Sequence, residues 1–210
     1  MPFAAVRVQK IMGLRGMQSI ESHGRRLDPA SAARVDPSRT QDNLAWSCSD
    51  DPLAVVEAFR RRKAETGAKE YRGSPLGLHV LCVVSPEWCA AAGDLHDPGN
   101  DRNQRLFQAA RDWGDQTFGP GAVVAARMDM DESGGGVVDL VIVPISEVKQ
   151  RGKVKNQISV NKAYEAAFGG GRVFSKMQDS WAGFAKAHLD SVIERGKPKA
   201  ETGRDHVHAD

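Results

Sequence analysis

The sequence predicts an α+β fold: a central, mainly antiparallel sheet with helices packed on one face. Three observations carry that expectation. Short β-branched, apolar segments at 4–10, 76–85, 122–131 and 137–144 are interrupted by single amphipathic segments of helical length. The last two of these strands are joined by a loop of three glycines, too short for a crossover, so they form a hairpin. No apolar run approaches the roughly 20 residues needed to cross a bilayer, so no membrane span is expected.

Taken in order, Ala4 to Lys10 alternates and carries two valines, which reads as the opening strand. A glycine-containing segment and a short helix around Met17 to Leu27 follow, with His23 on the helix. From Asp28 to Asn43, prolines 29 and 37 among Asp, Ser and Asn describe a long extended loop, and ordered loops of that length usually serve function. Asp51 as N-cap, Pro52 at the first helical position and Leu53, Val56 and Phe59 at helical spacing predict a helix over 52–66, ended near Gly67. A strand over Leu76 to Ser85 leads into a turn or short helix at Pro86 to Ala92, then a Gly/Asp/Pro/Asn loop. Leu106, Ala109, Ala110, Trp113 and Phe118 mark an amphipathic helix over 104–118, closed by Gly119-Pro120. After the hairpin come a basic, Asn-containing segment and a helix from about Ser175 to Arg195. Residues 1–196 are expected to form one domain, and 197–210 a polar, loosely ordered tail.

Two hundred and ten residues, 40% apolar and 27% charged, suffice for one sizeable core. The odd set Cys48, Cys82 and Cys89, without CxxC spacing, suggests neither a disulfide framework nor a zinc clip, and a reducing cytoplasm fits. The N-terminus has no continuous apolar stretch of the kind a secretory signal needs. Net charge is only +2, yet basic residues cluster at Arg25-Arg26, Arg60 to Lys63 and Lys149 to Lys155. The second cluster reads as a solvated helix face.

With the hairpin turn centred on Gly135, Asp131 would face Asp139, and Met128 would face Ile142. Met128, Met130, Val138, Leu140 and Ile142 would then share a core face, leaving Asp129, Asp131 and Asp139 together on the other. Like charges across a strand pair repel, so such a patch calls for protonation, a basic partner or a metal cation. Oxygen ligands suit Mg²⁺ or Mn²⁺, and Glu132 at the strand end could join them. Alternatively, one aspartate faces the site while others pair with Arg127 or are solvated.

His23-Gly-Arg-Arg26, Val35-Asp-Pro-Ser-Arg-Thr40 and Asn43 resemble the first two motifs of the Mob/Pre (MobV-type) plasmid mobilisation relaxases. The Val80-Leu-Cys82 strand leading into Glu87-Trp88, the hairpin ending Val143-Pro144, and Glu194-Arg-Gly196 with His206 downstream follow in the same order, over nearly the whole chain. The resemblance implies a relaxase, HUH-like architecture in which a divalent metal polarises the scissile phosphate of one DNA strand. It makes His23 the nucleophile, with Arg26 holding the phosphate or orienting the ring. Its third motif, His-x-Asp-Glu-x-x-Pro-His-x-His, is altered here. Asp131-Glu132 matches the Asp-Glu pair, Asp129 falls near the first histidine and Asp139 at the last, and all three metal histidines are absent. The site is therefore either a carboxylate version of the metal centre, with Asp129, Asp131, Glu132 and Asp139 as ligands, or one that has lost its metal.

The resemblance further implies a function: metal-assisted nicking and rejoining of one strand at a plasmid origin of transfer, through a covalent protein–DNA intermediate. The partners are single-stranded or hairpin origin DNA and the conjugation machinery of a helper plasmid, with a longer C-terminal region to follow. Arg25, Arg39, Asn43, Arg72, Lys153, Lys155 and Asn161 are candidate DNA contacts, since phosphates need donors and base edges need amides. His79 reads as a hydrogen-bonded core residue whose strand could border the site. The alternative is an origin-binding module without catalysis.

Overall fold

The computed structural model describes residues 1–150 and 152–197; Arg151 and residues 198–210, including His206 and most of the expected tail, lie outside them. Eight strands and seven α-helices are described. They are β1 (Phe3–Ile11), α1 (Leu14–Gly24), α2 (Pro29–Ala32), β2 (Leu44–Ser47), α3 (Val55–Thr66), β3 (Gly77–Val84), α4 (Pro86–Ala90), α5 (Asp101–Phe118), β4 (Val123–Met128), β5 (Val137–Ile142), β6 (Ile145–Gln150), β7 (Lys153–Ile158), α6 (Val160–Phe168), α7 (Val173–His188) and β8 (Glu194–Arg195). Six strands form one sheet in the order β2-β4-β5-β3-β1-β8, antiparallel except where β8 runs parallel to β1; β6 and β7 form a separate hairpin.

Strand alternation divides the sheet into two faces. Ala4, Val6, Leu78, Val80, Cys82, Val138, Leu140 and Ile142 point toward α5, α6 and α7 and make the larger core. Within it Trp113 and Trp181 meet edge to face, 5.6 Å between centroids. Each buried indole keeps a hydrogen bond, Trp113 Nε1 to Ser180 Oγ and Trp181 Nε1 to the Val83 carbonyl, both at 3.0 Å. The opposite face is covered only in part. There α1 and α3 bury Met17, Val55 and Phe59 against Val124, Ala125, Val141 and Ile11, in addition to the helical layer expected. The rest of that face, carrying Gln9, His79, Leu81 and Asp139, floors an open cleft.

The expected hairpin register is corrected by four residues. Arg127, not Asp131, lies opposite Asp139, and Ala126, not Met130, opposite Leu140. The cause is Asn43, whose Oδ1 accepts the Met130 N–H at 2.6 Å and the Asp131 N–H at 3.2 Å, drawing the chain off the ladder after Met128. Because the offset is even, the sorting of faces survives: Met128, Met130, Val138, Leu140 and Ile142 are all buried in the helix-side core. The loop returns to the sheet at Gly136, whose φ of 69° and whose missing Cβ, which would lie 2.2 Å from the Val84 carbonyl oxygen, both require glycine.

Other boundaries shift for local reasons. The first helix ends at Gly24, so Arg26 lies beyond it at φ 56° and not one turn along its face. Helix α3 begins at Val55 because Asp51 accepts the Leu53 N–H and pairs with Arg25, holding 51–54 as a turn. The basic segment is the β6–β7 hairpin followed by α6, capped by Ser159 and closed by Gly169 at φ 63°. The last helix stops at His188, after which Ile193 is buried and β8 joins the sheet.

Candidate active site

The cleft, about 1110 Å³, lies between the floor of β1, β3 and β5, the wall of α1 with the Met12–Gly16 turn, and the glycine loop at Gly134 and Gly135. His23, in the last turn of α1, enters it beside Asp28, Asp129 and Glu132. Its Nε2 is 3.4 Å from Glu132 Oε1 and 3.5 Å from Arg26 Nη1, and its Nδ1 is 3.7 Å from Asp28 Oδ2. Both ring nitrogens thus face a carboxylate, Glu132 at Nε2 being the nearer and Asp28 at Nδ1 the farther, so either nitrogen can carry the proton.

Two guanidiniums organise that cluster. Arg26, its side chain 8% exposed, binds Asp131 through both arms and reaches Asp129 Oδ2 at 3.1 Å, Glu132 Oε1 at 3.4 Å and the His23 carbonyl at 3.2 Å. Arg127, equally buried, comes within 2.7 Å of Asp129 Oδ1 through Nε and 3.7 Å of Asp139 Oδ2 through Nη2. The Arg127–Asp129 contact is ionic and out of hydrogen-bonding alignment, so both atoms are buried without a hydrogen bond. Gly24 makes room for Arg127: a Cβ there would lie 2.5 Å from Nη1.

Each carboxylate responds to its own surroundings. Burial pushes the Asp129 carboxyl up, only partly offset by Arg127. Burial also opposes ionisation of Asp131 and Asp139, but donors outweigh it: Arg26 and Thr40 hold Asp131 low, and His79 with Arg127 holds Asp139 low. The His23 contact lowers Glu132.

The four expected metal ligands therefore do not converge on one point. Asp131 is engaged by Arg26 and by Thr40 Oγ1 at 2.8 Å, and Asp139 by His79 Nε2 at 2.6 Å. Among the described residues one trio, His23, Asp129 and Glu132, brings ligand atoms within 4.8 Å of one another. His79 is not a core residue; it alternates with buried Leu78 and Val80 and faces the cleft, a position its odd place in the strand pattern could have revealed.

Of the candidate DNA contacts, Arg25 is held by Glu21 and Asp51, and Arg39 by Asp36 at 3.1 Å. Asn43 spends its side-chain oxygen on the backbone, and Asn161 Oδ1 accepts from Lys10 Nζ at 3.3 Å. Arg72, Lys153 and Lys155 are exposed, the two lysines on β7 outside the cleft. Lys10 and Arg15, which sequence reasoning did not single out, are exposed and line the cleft. Arg62 and Lys63 are paired with Pro120 and Glu70, as a solvated helix face would be.

No protein-family model and no curated protein matches the chain. Among solved structures it is similar to the MobM relaxase domain (MOBV; Mob_Pre) bound to plasmid pMV158 oriT DNA of 22 nucleotides, Mn-bound at pH 4.6: TM-score 0.69, 17% identity, covering 99% of this chain and 96% of that one. The 22-nucleotide complex with a 3′-thiophosphate, Mn-bound at pH 6.8, gives TM-score 0.69 at 19% identity, covering 99% and 95%. The complex with 26 nucleotides gives 0.60 at 14%, covering 98% and 97%. Over nearly its whole length, then, this chain has the fold of the MobV-type, Mob/Pre relaxase domain.

Proposed function

We propose that the protein is a plasmid mobilisation relaxase that binds single-stranded or hairpin origin-of-transfer DNA and nicks and rejoins one strand through a covalent intermediate. The observation that carries this reading is His23, set in the cleft wall beside the buried Arg26 guanidinium, with Arg127 on the other side of the shared Asp129, on the fold of an oriT-binding domain. Neutral His23 attacks phosphorus through its Nε2 lone pair. The P–N bond forms, the P–O3′ bond breaks, and the oxygen leaves with the bonding pair and is protonated by water. The ring's Nδ1 proton passes toward Asp28. The phosphoramidate keeps the ester's energy, so attack by a 3′-hydroxyl reverses the step. Arg26 holds His23 and the acidic loop in place; Lys10 and Arg15 at the cleft, with Lys153, Lys155 and Arg72 outside it, supply phosphate contacts.

The resemblance implies a divalent ion, Mn²⁺ or Mg²⁺, as Lewis acid. These residues do not fit it. Arg26 lies against all three members of the His23–Asp129–Glu132 trio, and ligation would consume the nitrogen needed for attack. No step here depends on it.

Helper-plasmid conjugation proteins and a cytoplasmic setting belong to the same proposal; no described helix is long and apolar enough to cross a membrane. The competing reading, an origin-binding module that does not cut, draws on the altered third motif. Incubation with supercoiled plasmid carrying the cognate origin separates them. Relaxed circles and a protein–DNA adduct support the relaxase, and tight origin binding with neither product supports the module.

A further inference from the structure

We propose that the Arg127 guanidinium, backed by Arg26, is the resident cation of this site, giving a bound phosphate the positive charge that a divalent metal would otherwise bring. This rests on the relaxase reading and names what fills its cation position. Arg127 extends from Asp129 to Asp139, the positions that the family resemblance aligns with two of the missing metal histidines. It lines the cleft, its side chain is 8% exposed, and its buried Nε has no hydrogen bond. Asp129 Oδ1 already stands 2.7 Å from that Nε, so the two Nη groups are the donors left for a phosphate oxygen. Arginine cannot discharge there by losing a proton, and a planar fork suits a phosphate's paired oxygens. The room Gly24 leaves at Nη1 keeps this cation where a side chain would displace it.

A metal would face competition at both places it could sit. Between Asp129 and Asp139 it meets Arg127, and at the His23–Asp129–Glu132 trio it meets Arg26. Removing Arg127 should reverse this, freeing two carboxylates beside His79 to bind a hard or borderline ion.

The test uses the whole chain and Mn²⁺ alone, followed by the electron paramagnetic resonance signal of the free ion. The wild type should leave that signal unchanged, and chelator should alter nicking and origin-DNA affinity by less than about twofold, within the noise of a lost minor contact. Arg127→Met, similar in length but uncharged, should take up Mn²⁺ and lose about 100-fold in nicking, the usual cost of one preorganised charge-stabilising donor. Stoichiometric Mn²⁺ uptake by the wild type, or nicking abolished by chelator, overturns the inference. If Arg127→Met does not fold, Arg127→Lys replaces it and should nick without metal, more slowly; restoration of its rate by Mn²⁺ to the wild-type level would count against a guanidinium role. A wild type that nicks under no condition overturns the relaxase reading alone, and Mn²⁺ uptake then decides the inference.

Discussion

Arg26 grips Asp131 with both arms of its guanidinium, Nε 3.0 Å from Oδ2 and Nη2 2.5 Å from Oδ1, from a backbone at φ 56° that a non-glycine residue rarely adopts. The pair is nearly sealed, with side chains 8% and 0% exposed, and it fastens the end of the α1 segment to the acidic loop.

Arg26→Ala would leave Asp131 charged and buried, and should destabilise the fold by about 3–5 kcal/mol, the cost of breaking a buried pair from one side. Denaturant unfolding measures it. Asp131→Asn in the same chain should recover part of the loss; a double variant no more stable than Arg26→Ala would show that the guanidinium's packing, not its charge, mattered.

His23→Ala should remove both nicking and the covalent adduct while leaving origin-DNA affinity nearly unchanged. The wild-type adduct should be acid-labile and stable to alkali, as a phosphoramidate is. Mapping of the adduct to Tyr71 or Tyr164 would refute the histidine mechanism; burial pushes the Tyr164 hydroxyl up to about 12, which already makes it a poor nucleophile.

Much of this was legible in the sequence, and the failures share a cause. Strand β1 announces itself by alternation, β3, β4 and β5 by their apolar, β-branched composition, and α5 by its periodicity. Strand β2, four residues long, is too short to show a period, and β6 and β7 hide in charge because as a separate hairpin they bury little. The carboxylates were visible, but not their partners. Register depends on Asn43, 87 residues from Met130, and the guanidinium positions depend on contacts across the fold. Such long-range contacts leave no local spacing to read.

Origin-DNA affinity should fall steeply with salt through counterion release. Lys153→Gln and Lys155→Gln should each reduce the slope of log affinity against log salt by about one, measured by fluorescence anisotropy. Unchanged slopes would mean that the β6–β7 hairpin does not touch the backbone of the DNA.

Asp139 gives a pH test with a definite sign. Its carboxyl is held below the ordinary value, so its stabilising contribution is complete above about pH 4, the unfolded range, and is lost as pH falls through the folded value. Asp139→Asn should flatten that acid limb of stability, followed by thermal melts between acidic and neutral pH. An unaltered limb would place the acid sensitivity elsewhere.

Gly24→Ala should cost little stability, since the atom it meets is the far end of a flexible side chain, yet should slow nicking by shifting Arg127. A crystal structure of the variant with Arg127 unmoved would dismiss this coupling.

That missing methyl has a consequence for descent. A side chain at position 24 shifts the arginine at 127 without unfolding the protein, so selection for nicking favours either that arginine against a bare backbone at 24 or a bulkier residue at 24 without it. The two positions should therefore be inherited together, and a survey of related plasmids should find bulky residues at 24 in company with a small or uncharged residue at 127, beside a hairpin that has kept its metal-binding histidines.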